Sequence, residues 1–229
     1  MVNYIIAVYC GERRFQSNIG IRLVERQIEY LMSNPKNVSG FTFVVNDCGN
    51  DSAVLKLIED FIKTSSLKGC VIHRENENGS YGAWQRGIME TYKDFKYSFL
   101  IEDDYIPVVD NFTDYFIQKD SPDVRYVASL SRPNAGYPMH ASISNGLLNN
   151  GKIDDVITKH KKLFCLVDMK RAPLTYSNLE RDQVSFLNNI PGDYTDITDI
   201  SCTIFLDHRL EFIVYNDARL PLILEPIEL

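Results

Sequence analysis

The feature that most constrains this chain is an alternation of two patterns over roughly its first 105 residues. Short runs that are apolar at nearly every position take turns with segments whose apolar residues recur at helical spacing. "NYIIAVYC" (3–10) is followed by "FQSNIGIRLVERQIEYLM" (15–32), with Ile21, Val24, Ile28 and Leu31 on one helical face. "FTFVVND" (41–47) is followed by "SAVLKLIEDFIK" (52–63), where Leu55, Ile58 and Ile62 share a face and Ser52 suits an N-cap. "KGCVIHREN" (68–76), "SYGAWQRGIMETYKDF" (80–95) and "YSFLIEDD" (97–104) continue the series as strand, helix and strand. A strand without a polar face is buried on both sides, and a parallel sheet covered by helices on both faces is the architecture that buries it. The expectation is an α/β fold with a mainly parallel central sheet.

After residue 105 the rhythm loosens: a helix is predicted at 110–118, a strand at 125–131 and a polar Gly/Pro/Asn region to about 152. A helix near 176–189 and strands near 202–206 and 210–215 follow. No repeat, low-complexity tract or linker interrupts the chain, which reads as a single domain over 1–229, its second half shaping an acceptor or second substrate. The C-terminal "LPLILEPIEL" is apolar enough to finish the core or to dock on a partner.

Composition excludes several classes. At 45% apolar residues disorder does not fit, and a net charge of −7 without a basic block argues against a nucleic-acid partner. No segment approaches the ~20 apolar residues that span a bilayer, and the opening residues lack a basic flank or cleavage site. The five cysteines are scattered without a C-x-x-C pair, which leads to the expectation of reduced core thiols.

In an open parallel sheet, ligands collect beyond the carboxyl ends of the strands. The strand ends here deliver Tyr9, Gly11 and Glu12, then Asn46, Asp47 and Asp51, then Arg74 to Gly79, and finally Glu102, Asp103 and Asp104. So acidic a pocket would repel a phosphorylated ligand unless a divalent cation stood between them, and carboxylates suit Mg²⁺ or Mn²⁺. The G-x-G-x-x-G of dinucleotide-binding domains is absent from "CGERRF", and neither a P-loop nor a G-x-S-x-G elbow occurs. Taken alone, the same residues also read more plainly. An acidic triplet can be a solvated turn, Asp47 and Asp51 an Asx turn capping the next helix, and Trp84 with Ile88 core packing.

Four of these stretches together resemble the GT-A-fold glycosyltransferases, in particular the family-2-like inverting group. "IIAVYCGER" is similar to that family's opening strand and turn, and "FVVNDCGNDS" to its V-V-D-D-G-S-x-D, placing Asp47 on the aspartate expected at the nucleobase. "GSYGAWQRGI" keeps the family spacing at Gly79, Ala83 and Gly87, and "FLIEDDY" resembles F-L-D-x-D-D, with Glu102 and Asp104 on the metal-associated positions of a DXD-like motif. The resemblance implies a three-layer α/β/α GT-A-like sandwich whose residues 1–105 bind a nucleotide-diphosphate sugar and whose residues 106–229 bind the acceptor. It implies Mn²⁺ or Mg²⁺ at Glu102 and Asp104, with His208 in "FLDHRLEF" as a further ligand, and donor contacts from Tyr9, Glu12, Asp47, Gly79 and Asp103. It implies a catalytic base in "SNLERDQVSFLNN", where Asp182 matches better than Glu180; on their own these two are first-turn helix charges. The expected enzyme is cytoplasmic, able to associate peripherally with the inner face of the membrane, and acts on a glycan or lipid-linked hydroxyl in polysaccharide or glycoconjugate synthesis. Two other readings stay open: a sugar nucleotidyltransferase, which calls for a glycine-rich basic loop where "CGERR" has one glycine, and a non-catalytic binding domain of the same fold.

Overall fold

A computed structural model describes residues 1–11, 18–46, 52–76, 79–118, 120, 124–129, 145–154, 164–166, 203–205, 211–215 and 224–227. The first half follows the expected alternation: β1 (Val2–Tyr9), α1 (Ile19–Met32), β2 (Val38–Asn46), α2 (Ala53–Thr64), β3 (Lys68–Arg74), α3 (Gly79–Thr91) and β4 (Tyr97–Glu102). Then come β5 (Tyr105–Pro107), α4 (Phe112–Ile117), β6 (Val124–Ser129), β7 (Gly146–Asn149), β8 (Phe164–Leu166), β9 (Thr203–Phe205), β10 (Glu211–Tyr215) and β11 (Leu224–Pro226). Ser52 caps α2 as expected, its hydroxyl oxygen accepting from the Leu55 amide at 3.1 Å.

Among the described residues, seven strands form one sheet in the order β10-β6-β7-β4-β1-β2-β3. The β1–β2, β2–β3, β1–β4 and β6–β10 pairs are parallel, and β7 runs antiparallel to both β4 and β6. The expected α/β class and mainly parallel sheet are therefore present. β1 sits in the interior, with Val2 to Val8 buried. Its even-numbered side chains face α1, α2 and α4: Tyr4, Ile6 and Val8 join Val24, Ile28, Ile58 and Phe61 in one core with the rings of Phe99, Phe112 and Phe116. Its odd-numbered side chains face α3, where Ile5 lies against Gly87 and Asn3 donates to the hydroxyls of Thr42 and Thr91 at 3.0 and 2.8 Å. Helices thus cover this part of the sheet on both faces.

The structure departs from the sequence expectations in several places. β7 and the 3₁₀ turn Asn150–Lys152 lie in the stretch expected to be a polar loop; four residues with Leu147 and Leu148 both buried are too few to show a period. α3 ends at Thr91, and β4 ends at Glu102, so Asp103 and Asp104 belong to the turn into β5. Within the C-terminal stretch, expected either to finish the core or to dock on a partner, β11 pairs antiparallel with β5 and Leu224 is buried. Cys10 is disulfide-bonded, against the expectation of reduced thiols, while the half-buried Cys70 is free. Cysteine spacing along a chain does not record which cysteines the fold brings together, so the cysteine pattern carries no argument for a reducing compartment. Among the described residues, no helix is long and apolar enough to cross a membrane.

Candidate active site

From β1 the chain winds outward through β2 to β3, then returns to place β4 on the other side of β1. The winding reverses between β1 and β4, and at such a switch point the loops beyond the carboxyl ends part to leave a crevice. A cavity of about 270 Å³ lies there, lined by the ends of β1, β2 and β4, by Asn76 and by the first turn of α3.

The acidic triplet borders this cavity but is not three equivalent charges. Asp103 is 2% exposed, and its Oδ2 accepts from the Tyr9 amide at 3.0 Å while its own amide donates to the Ala7 carbonyl at 3.0 Å. It ties the end of β4 to the end of β1. Glu102 and Asp104, on either side, are half-buried on the cavity wall. Glu102 Oε1 accepts from the Ser80 hydroxyl at 2.5 Å, and the Glu102 amide donates to Asn145 Oδ1 at 2.9 Å. Ser80 stands in the first turn of α3, where the unsatisfied amides of a helix start favour negative charge.

That helix begins at Gly79, whose φ of +55° lies in the left-handed region although nothing stands within 4 Å of where a Cβ would be. Backbone conformation, not crowding, calls for glycine there. Gly11 is the opposite case: a Cβ would collide with the Tyr9 ring, which is 41% exposed at the cavity mouth. Asn46 binds the ends of β1 and β2 together, donating to the Val8 carbonyl at 3.1 Å and accepting from the Cys10 amide at 3.0 Å through its own carbonyl. Its Oδ1 accepts from Arg74 Nη1 at 3.2 Å.

Tyr9, Gly79, Glu102, Asp103 and Asp104, five of the residues singled out in the sequence, therefore border one cavity. Glu12, Asp47, Glu180, Asp182 and His208 lie outside the described residues. Trp84 is 1% exposed, donating its indole N–H to the Ile101 carbonyl at 3.0 Å, and is part of the core. Sequence reasoning passed over Asn145, which stands in a polar stretch without a pattern. It also passed over Gln27, although a carboxamide between Val24 and Ile28 and Leu31 on the apolar face of a helix is a visible signal.

Among the described residues, no group of three or more His, Cys, Asp or Glu side chains is arranged to hold a metal. The two half-buried carboxylates still fit Mg²⁺ or Mn²⁺, since such ions bind through one or two carboxylates with waters and substrate phosphates completing the shell. No protein-family model matches the chain, and no curated protein matches it. Among solved structures, it is similar to a mannosyltransferase from Pyrobaculum calidifontis in complex with GDP-Man and Mn²⁺, at 10% identity and a TM-score of 0.49 over 71% of this chain. It is also similar to HddC from Yersinia pseudotuberculosis (17% identity, TM-score 0.41, 66% of this chain) and to the apo-form glycosyltransferase GlyE of Streptococcus pneumoniae TIGR4 (14%, 0.41, 86%). The matches span 47%, 75% and 44% of those chains respectively. Identities and scores at this level are too low to carry an activity across to this protein.

Proposed function

We propose that this protein is a GT-A-type glycosyltransferase, moving a sugar from a nucleotide-diphosphate donor to a hydroxyl acceptor of a glycan or lipid-linked substrate with inversion at the anomeric carbon. The observation that carries the reading is the cavity at the β1/β4 switch point, with Glu102 and Asp104 on its wall and the start of α3 opening onto it. Glu102 and Asp104 would hold a divalent cation together with the donor's phosphate oxygens, and its charge would offset the negative charge gathering on the departing nucleotide diphosphate. Tyr9, Asn76 and Gly79 border the same cavity, where the donor would lie. The acceptor oxygen forms a bond to the anomeric carbon as the bond to the diphosphate oxygen breaks, and the electron pair leaves with the diphosphate. Asp182, with Glu180 as second candidate, is assigned to take the acceptor's proton.

Thermal shift with UDP-, GDP-, CDP- and dTDP-linked sugars, with and without Mn²⁺, tests this. Ligand at ~100 times its Kd adds about 2.7 kcal/mol, or roughly 5–10 °C for a chain of this size. One nucleotide class should give that rise, and Asp104→Asn should remove its Mn²⁺-dependent part while leaving the ligand-free melt within about 2 °C. If no nucleotide sugar shifts the wild-type melt, the proposal is lost.

A further inference from the structure

Gln27 is a carboxamide sealed in an apolar core. It lies on the inward face of α1 with Leu23, Val24, Ile28 and Leu31, and is 0% exposed. A buried amide is unfavourable unless its groups are paired, and leucine or methionine would fill the same space without that requirement. The pairing is specific. Nε2 donates to the Asp103 carbonyl at 3.1 Å and to the Tyr105 carbonyl at 2.5 Å, while Oε1 accepts from the Tyr4 hydroxyl at 3.2 Å.

The two carbonyls that Gln27 grips are those immediately before and after Asp104. The Asp104 carbonyl itself accepts from the Ile227 amide at 2.7 Å, beside the β5–β11 pair. Three consecutive carbonyls of the acidic turn are therefore held from outside the cavity, two of them by one side chain. Two donors and an acceptor at that reach are what glutamine supplies; an ionised glutamate has no N–H to give. Tyr4 fixes which end of the amide faces the turn. Burial, with Tyr30 nearby, pushes its phenol well above the ordinary range, so it remains a hydroxyl donor.

We propose that Gln27 is a positioning residue for Asp104, setting the acidic turn from beneath so that the Asp104 carboxylate is presented on the cavity wall at a fixed height. The consequence for ligand binding rests on the reading of Asp104 as a cation and diphosphate position. Outer partners that orient a ligating carboxylate change metal affinity by about 10–100-fold when removed.

The test uses Gln27→Met, which nearly conserves volume, and Tyr4→Phe, which keeps the ring and removes only the hydroxyl. The first measurement needs no ligand: hydrogen exchange at the amides of Asp103 and Ile227, with amides of the β1–β2 ladder as reference. In Gln27→Met, protection at the two turn amides should fall at least about tenfold relative to the ladder, and in Tyr4→Phe by a smaller factor in the same place. The second is Mn²⁺ affinity by electron paramagnetic resonance in the presence of UDP, GDP, CDP or dTDP, well below the melt. A fall of about tenfold or more in Gln27→Met is expected, which a purely structural role would not produce. Uniform loss of protection across turn and ladder, or unchanged turn amides, overturns the positioning role whatever the ligand result. Selective loss at the turn with unchanged Mn²⁺ affinity overturns its bearing on the site. Wild-type protein that takes up no Mn²⁺ with any nucleotide removes the transferase reading, while the exchange measurement still decides for or against the positioning of the turn.

Discussion

Trp84→Phe probes how firmly α3 is pinned to the strand that carries Glu102. The indole is 1% exposed and donates to the Ile101 carbonyl at 3.0 Å, one residue before the acidic triplet. Phenylalanine keeps an aromatic ring but cannot donate, and loss of that bond should cost about 1–1.5 kcal/mol. The smaller ring leaves roughly 40 Å³ unfilled, which at about 24 cal/mol per Å³ adds about 1 kcal/mol. The sum, about 2–2.5 kcal/mol, corresponds to a fall in Tm of about 4–10 °C. Differential scanning calorimetry measures it. Because Trp84 is the sole tryptophan, wild-type fluorescence gives an independent check: the emission should be that of an apolar environment and should resist acrylamide quenching. A variant melting within about 1 °C of wild type, or a quenchable wild-type emission, would refute the placement of α3 on β4.

Two further substitutions test other parts of the frame. Gly87→Ala should lower Tm: an alanine in a helix normally gains about 1 kcal/mol over glycine, but here its Cβ would stand 2.7 Å from Ile5 Cγ2 and 3.1 Å from Val44 Cγ2 inside the core, and overpacking costs about 1–3 kcal/mol. A rise in Tm would mean that α3 does not lie directly on β1 and β2. Asp120→Asn should flatten the acid limb of stability. Burial acts to raise the Asp120 carboxyl, but its bonds from Lys152 at 2.5 Å, Asn149 at 2.9 and 3.0 Å and Tyr97 at 2.8 Å outweigh this and hold it below the ordinary range. A lowered folded-state value stabilises the fold above the unfolded value of about 3.9, and that contribution disappears as pH falls through the folded value. Tm measured against pH should therefore drop less steeply below about pH 4 in the variant, and parallel acid limbs would count against the cluster.

The parallel core was legible because burial on both faces leaves an unbroken apolar run. "NYIIAVYC" and "FTFVVND" could not be half-exposed strands, and the order of strand and helix then led to the carboxyl ends where Tyr9, Gly79 and Glu102 meet. What was not legible depends on partners distant in sequence. β7 is a strand because β4 and β6 flank it, and its own four residues show no alternation. Asn145 matters because the Glu102 amide comes to it across 43 positions, and Gln27 because the turn at 103–105 lies 76 positions away. A polar side chain inside an apolar helical face is the one local sign of such a contact. The sign says that a partner exists and not which one.

The same limit governs the acidic triplet. In sequence, Glu102, Asp103 and Asp104 are three adjacent negative charges, and nothing in their order assigns them different work. The fold separates them by environment: Asp103 is almost fully buried with its Oδ2 accepting from the Tyr9 amide, while Glu102 and Asp104 on either side of it along the cavity wall are half-buried. Glu102 then uses its extra methylene to reach the Ser80 hydroxyl on α3, a span that an aspartate at 102 would fall short of by about 1.5 Å, one carbon–carbon bond. Glutamate at this position is therefore a link between the strand end and the start of the helix as well as a negative charge. Any cation that engages Glu102 must share it with Ser80, so the height of the α3 start and the geometry of the acidic wall are coupled through that one bond.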